Sequence, residues 1–278
     1  MASVKIARNI AKLEKIDIFY QDTRTEGQAI LCLHGKWGRG ETWVDFMRYY
    51  GEKYRVIAPD LRGHGLSGKP VSKYTAEEMA GDMIALLDFL GLDSVILVGH
   101  SMGGHVAGYL TARYANRVKA LALLDKSAAG PDKESLLPLE KISPLDPLTK
   151  DWPLPFESRI EAQEFMKKNT QSDLEYNYFM NSLVETLAGY EMMFSSQAMA
   201  AQKEYYQNWF HLLPEIKCPV LLIRARNGEA VSDKDFLKMQ SLISDCMARE
   251  MSHPDHNVHL GNKEGFYRYV DEFLKKIG

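Results

Sequence analysis

Gly99-His100-Ser101-Met102-Gly103 sets a serine between two glycines in the spacing G-x-S-x-G. That spacing suits a strand turning sharply into a helix, with the serine held in strained geometry and small neighbours letting backbone approach. The apolar run Val95-Ile96-Leu97-Val98 precedes it, and a helix-compatible run follows from Gly104. A serine hydroxyl is a poor nucleophile until a base takes its proton. Of the eight histidines, His34, His64 and His100 sit beside glycines, where ring-to-backbone hydrogen bonds explain them. His105 falls one turn into the helix after Ser101, and His211 precedes a proline-terminated helix. His253, His256 and His259 follow the last apolar strand. Their spacing of three offers a metal reading, but Pro254 interrupts it and no cysteine joins it. His256, in Asp255-His256-Asn257-Val258, is the preferred base.

These residues need a scaffold that brings distant loops together. Strands are expected at Ile16–Tyr20, Ala29–Leu33, Arg55–Ala58, Ser94–Val98, Val118–Leu124, Val220–Arg224 and Met247–Met251. Most are continuously apolar, as in parallel strands covered on both faces. Thr75 and Glu78 form a capping box ahead of the stripe Met79, Met83, Leu86, Leu87, Leu90, and Gly91 ends that helix. Amphipathic helices are expected at Asp233–Ile243 and Lys263–Lys276. The alternation predicts a mostly parallel sheet with helices on both faces, binding ligands beyond the strands' carboxyl ends. From Ser127 to Leu213 no strand is evident. Six prolines, Pro131 to Pro155, break its first part, and its second part reads as helical and rich in aromatics and methionines (Tyr176, Tyr178, Phe179, Met180, Met192, Met193, Phe194). This stretch is expected to fold over the sheet edge, with most of those side chains forming its own core.

The bulk properties narrow the class. The chain has 278 residues, a net charge of −3, and hydrophobic and charged fractions of 45% and 26%. That balance supplies no field to attract nucleic acid or anionic lipid, so a small-molecule substrate is the expected partner, with oligomeric state undecided. No apolar run reaches the ~18 residues of a membrane span, and the start, Met1-Ala2-Ser3-Val4-Lys5-Ile6, lacks a signal-peptide apolar core. Three well-separated cysteines, Cys32, Cys218 and Cys246, fit free thiols in a reducing cytoplasm.

With these residues assembled, the chain resembles the α/β-hydrolase superfamily. The resemblance is carried by His34-Gly35-Lys36-Trp37-Gly38, then Ala58-Pro59-Asp60-Leu61-Arg62-Gly63-His64-Gly65-Leu66-Ser67, then Gly99 to Gly104, and last His256. It implies an eight-stranded, mostly parallel sheet with a helical cap after the sixth strand: core 1–126 and 214–278, cap 127–213. It implies no cofactor and no metal, and an oxyanion hole made by the backbone N–H groups of Lys36 and Met102. The serine sets the chain apart from the haloalkane dehalogenase and epoxide hydrolase branches, which carry an aspartate there. For the third triad member, many relatives place an aspartate after the seventh strand, but here that segment reads Arg224-Ala225-Arg226-Asn227-Gly228-Glu229. Glu229 is one option and Asp125, ending Val118–Leu124, the other. Asp125 is favoured, because the chain also resembles the (E)-2-(acetamidomethylene)succinate hydrolase-like subgroup, which places its acid after the sixth strand. The implied reaction is acyl transfer from a carboxylic ester to water. The alternatives are C–C, lactone or amide hydrolysis by the same triad, or a hydrolase-fold receptor acting through a protein partner. A substrate carboxylate near Lys36 is a further expectation, against plain solvation of that lysine.

Overall fold

The computed structural model describes residues 4–226 and 228–278; Met1 to Ser3 and Asn227 lie outside the described residues. Its strands are β1 (Ala7–Lys12), β2 (Asp17–Asp22), β3 (Ala29–Leu33), β4 (Arg55–Pro59), β5 (Val95–His100), β6 (Val118–Leu124), β7 (Leu183–Thr186), β8 (Gly189–Met192), β9 (Val220–Arg224) and β10 (Cys246–Glu250). Its helices are α1 (Val44–Tyr50), α2 (Ala76–Phe89), α3 (Met102–Arg113), α4 (Arg159–Asn169), α5 (Asp173–Met180), α6 (Ser196–Tyr205), α7 (Asp233–Leu242) and α8 (Lys263–Ile277). Eight strands form one sheet in the order β1-β2-β4-β3-β5-β6-β9-β10. β1 and β2 are antiparallel additions, and every pair from β4 to β10 is parallel.

The period of two in each central strand separates two apolar layers. Leu31, Leu33, Leu97 and Leu121 pack on one side with Met83 and Leu87 of α2 and Val106 and Leu110 of α3. Ile30, Cys32, Ile96 and Val98 face the other way, onto Phe46 and Met47 of α1 and Phe266, Val270 and Phe273 of α8. Cys32 is fully buried, and none of the three cysteines is in a disulfide. The Thr75–Glu78 capping box forms as expected, and Gly91 leaves α2 with φ +65°.

The strands depart from the sequence expectation in two places. β1 was not foreseen, because its alternating, half-exposed pattern Ala-Arg-Asn-Ile-Ala-Lys belongs to an antiparallel edge strand rather than a buried one. The stretch 127–213 also contains the hairpin β7–β8, where no strand was expected. Each strand spans only four residues, too short for its period to stand out. Gly189, at φ +130°, lies where a Cβ would meet the Phe156 carbonyl oxygen at 2.4 Å, and Tyr190 pairs with Phe156. The surrounding segment has an apolar core of its own, in which Phe156, Met166, Phe179, Met192, Phe194 and Met199 meet Tyr74.

The turn after β4 is held by buried polar groups. Asp60 accepts from the amides of Gly40 (2.6 Å) and Leu66 (2.7 Å), tying two loops to one carboxylate. Arg62 donates to both oxygens of Asp82 on α2, at 2.5 and 2.6 Å, with both side chains less than a tenth exposed. Removing one partner of such a pair strands a buried charge, whereas replacing both by apolar groups does not. Asp82→Ala should therefore lower unfolding free energy by about 3 kcal/mol. The double change Arg62→Met with Asp82→Leu should recover most of it, measured by urea denaturation.

Candidate active site

Ser101 stands between the end of β5 and the start of α3 with φ 51° and ψ −117°, a conformation costly for a residue with a Cβ. Its amide donates to Leu124 O on the neighbouring strand β6 (2.9 Å), and its own carbonyl accepts from Gly104 and His105 in the first turn of α3. The flanking glycines are sterically required. A Cβ at Gly99 would lie 2.4 Å from Gly103 O, and one at Gly103 would lie 2.4 Å from Leu33 O. Strain at Ser101 is thus imposed by a strand and a helix that approach each other too closely for side chains.

Asp125 directly follows β6, one strand away, also in the left-handed region at φ 46°. Its amide donates to Ile223 O of β9 at 2.7 Å. Its carboxylate is buried, with Oδ1 accepting from the Ala225 amide (2.8 Å) and Oδ2 bonded to His256 Nδ1 (2.7 Å). A carboxylate only accepts, so Nδ1 carries the proton in the neutral ring, and Nε2 is left with its lone pair. The His256 ring is 44% exposed, and its carbonyl accepts from His100 Nε2 at 2.8 Å. Burial, with the charges of His256 and His259 alongside, holds His100 well below the usual histidine pKa and therefore neutral.

The other late histidines are occupied elsewhere. His259 is buried and stacked on Trp43 at 4.3 Å, and the His253 ring lies against the amides of Asp255 and Asn262. No cluster of three or more metal-ligating side chains occurs among the described residues. Glu229 is exposed on the loop after β9 and lines a cavity with His256.

Two cavities meet at Ser101. One, of about 660 Å³, is lined by Ser101, Met102, His105, Lys126, Ile142 and Tyr206 among others. The second, of about 400 Å³, is lined by Ser101, His256, Tyr178, Phe179 and Asp255 among others. Lys36 and Trp37 border both. They belong to a turn closed by Gly38 N donating to Gly35 O (3.2 Å), with Trp37 at φ 63°. The Tyr178 ring lies against this turn, where a Cβ at Gly38 would overlap its hydroxyl. Met102 opens α3, so its amide is one of the first-turn donors that lack an intrahelical acceptor. Of the seven aromatics and methionines singled out in the sequence between 176 and 194, only Tyr178 and Phe179 border either cavity.

The sequence profile of the alpha/beta hydrolase fold family matches residues 28–263. This chain is a member of that family. Among curated relatives, it is 27% identical over 278 aligned residues to the 2-hydroxy-6-oxononadienedioate/2-hydroxy-6-oxononatrienedioate hydrolase of Burkholderia vietnamiensis, covering 94% of this chain and 92% of the relative. A shorter match, 45% identical over 103 residues, joins it to epoxide hydrolase 2 of Siraitia grosvenorii, covering 35% of this chain and 32% of that one. In fold, it resembles E-2-(acetamidomethylene)succinate hydrolase, with TM-score 0.81 and 22% identity, covering 98% of this chain and all of the other. It also resembles the enol-lactonase of Burkholderia xenovorans LB400, with TM-score 0.75 and 19% identity over 96% of this chain and all of that one.

The chain is accordingly a hydrolase with the eight-stranded, mostly parallel sheet expected of the family. No helix of the described residues is long and apolar enough to cross a membrane. Sequence reasoning passed over His100 as a turn residue; its bond to the His256 carbonyl could not be anticipated across 156 positions. It also passed over Lys126, whose one sequence signal is its place directly after Asp125. The Asp125–His256 bond should give a downfield Nδ1 proton resonance in the folded hydrolase. Asp125→Ala should remove that resonance and Glu229→Gln should leave it; the opposite pattern would place the imidazole's partner on the wrong loop.

Proposed function

We propose that Ser101, His256 and Asp125 form a nucleophile–base–acid triad that cleaves a small-molecule carboxylic ester through an acyl-enzyme. The observation that carries this reading is the strained serine bordering the same cavity as a histidine whose far nitrogen is bonded to a buried carboxylate. His256 Nε2 takes the Ser101 proton as Oγ attacks the carbonyl carbon. The oxyanion is held by the backbone N–H groups of Lys36 and Met102, donors worth on the order of 10²–10³ in turnover each. Collapse expels the alkoxide, which the imidazolium protonates, and water then repeats the sequence on the acyl-enzyme. The segment 127–213 serves as the cap that encloses the substrate.

The proton must reach the leaving group from His256, and His256 borders only the smaller cavity. The smaller cavity therefore takes the leaving group and the larger one the acyl group. A second reading, hydrolysis of a C–C or lactone bond by the same triad, is favoured by the full-length relative, whose name describes a keto-diacid substrate. Turnover of a panel of p-nitrophenyl esters, lactones and vinylogous diketones separates the two.

A fluorophosphonate probe should label this hydrolase at one site, and Ser101→Ala should abolish labelling and turnover together; a labelled alanine variant would sink the assignment. Asp125→Asn preserves shape but leaves the imidazole in the wrong tautomer, and should cost roughly 10⁴ in kcat. Glu229→Gln should cost a few-fold at most. His256→Ala should be as damaging as Ser101→Ala, with His253→Ala far milder. A crippling Glu229→Gln beside a mild Asp125→Asn would move the acid to the loop after β9.

A further inference from the structure

The larger cavity carries an uncompensated cation. Its lining includes four lysines and a single carboxylate, Glu204, which is taken by Lys133 at 2.9 Å. Lys36, the lysine that the sequence offered for a substrate carboxylate, is already engaged. Its Nζ donates to Met199 O at 3.0 Å and lies 3.7 Å from Asp146, whose other oxygen accepts from Trp37 Nε1 and Thr149 Oγ1. Lys203 is exposed to solvent in the last turn of α6. Lys126 differs from all three. No carboxylate among the described residues lies within ion-pair distance of it, and its ammonium rests 4.0 Å above the Tyr206 ring. Its neighbour in sequence, Asp125, makes no ion pair with it; that carboxylate is directed to the Ala225 amide and the His256 ring.

The surroundings hold Lys126 in this position. Its Cβ packs beside Gly104, 3.2 Å from where a Cβ there would stand. Tyr206 is fixed by its hydroxyl, which lies 2.6 Å from Ala129 O and 3.2 Å from Ser127 O. His105, packed against Tyr206 and Trp209, is held near a pKa of about 3 by burial and by the Lys126 charge, so it adds no second cation. Burial likewise lowers Lys126 itself to about 8, with Lys36 adding to the effect. A cation withdrawn from water without a counter-ion is costly, and an anion brought in by a ligand relieves that cost. The remaining wall is largely apolar, including Met79, Leu137, Ile142 and Leu145, which suits a short hydrocarbon linker.

We propose that Lys126 is a specificity residue that binds a carboxylate on the acyl half of the substrate, so that the preferred substrates are esters of short dicarboxylic acids with one acid group free. The placement on the acyl half rests on the triad reading above; the carboxylate site itself rests on the unpaired lysine in the cavity. A charge-assisted hydrogen bond of this kind accounts for roughly a ten- to hundred-fold preference.

The test separates the two. Binding of monomethyl glutarate and of neutral dimethyl glutarate is measured by calorimetry on Ser101→Ala, which cannot turn them over, with and without Lys126→Met. The preference for the monoester should fall about ten- to a hundred-fold with Lys126→Met, and Lys126→Arg should retain most of it. In parallel, kcat/KM is compared for p-nitrophenyl hemiglutarate and p-nitrophenyl valerate with Ser101 intact. The ratio should favour the hemiester and collapse in Lys126→Met, chiefly through KM. Equal binding of the two glutarates, or a preference that Lys126→Met leaves in place, overturns the carboxylate site. Failure to hydrolyse either ester, while the calorimetric preference still depends on Lys126, overturns the triad reading and the acyl-side placement and leaves the carboxylate site standing.

Discussion

Three hydrogen bonds made by backbone groups at the carboxyl edge of the sheet hold Ser101 and Asp125 in place. Leu124 O accepts from Ser101 N, Ile223 O accepts from Asp125 N, and Ala225 N donates to the Asp125 carboxylate. The first two join the last residues of one strand to the first residue beyond its neighbour, and the third joins the first residues beyond β6 and β9, so β5, β6 and β9 end in register. The parallel ladder delivers a serine and an aspartate to adjacent positions on one edge with no freedom to slide, because a one-residue slip would invert both apolar faces. Both residues hold positive φ, a cost borne by the surrounding ladder. His256 arrives from the loop after β10 and is pinned twice, at its ring by Asp125 and at its carbonyl by His100.

Polar groups are handled differently in the scaffold and in the cavities. Asp60, Asp82 and Asp146 are buried, and each is supplied with donors that lock a loop: two amides, an arginine, and an indole with a threonine hydroxyl. His34 and His64 are buried and kept neutral, with His34 accepting from the Leu61 amide while its other nitrogen meets Gly35 O. Lys126 is distinctive against those three paired carboxylates. It faces the larger cavity with an aromatic ring in place of a counter-ion.

The insertion between β6 and β9 contributes shape more than chemistry. Its aromatic and methionine side chains mostly fill its own core, and its share of the cavity walls comes from its loops, α5 and α6. Lys36 reaches across to Met199 O, so the turn after β3 and the insertion are joined by a hydrogen bond beside the serine.

What the sequence determined by itself was local or periodic. The elbow glycines, the capping box at Thr75 and the continuous apolar strands were legible because each is written within a few adjacent residues. β1 escaped because an edge strand wets one face and keeps its charges, and the β7–β8 hairpin escaped because four residues are too few to show a period. Asp125 was favoured as the partner of His256 through a family resemblance and not through a local signal, since Asp125 and Glu229 both follow apolar strands. The tertiary structure puts Asp125 against the ring because β6 lies beside β5 in the sheet order, while Glu229 lies further out on an exposed loop. Strand order arises from pairings between separate segments, such as Val95 with Val118 and Leu121 with Val220, and Lys126's lack of an ion-pair partner among the described residues likewise arises from the packing around it. Neither leaves a mark in the neighbouring sequence.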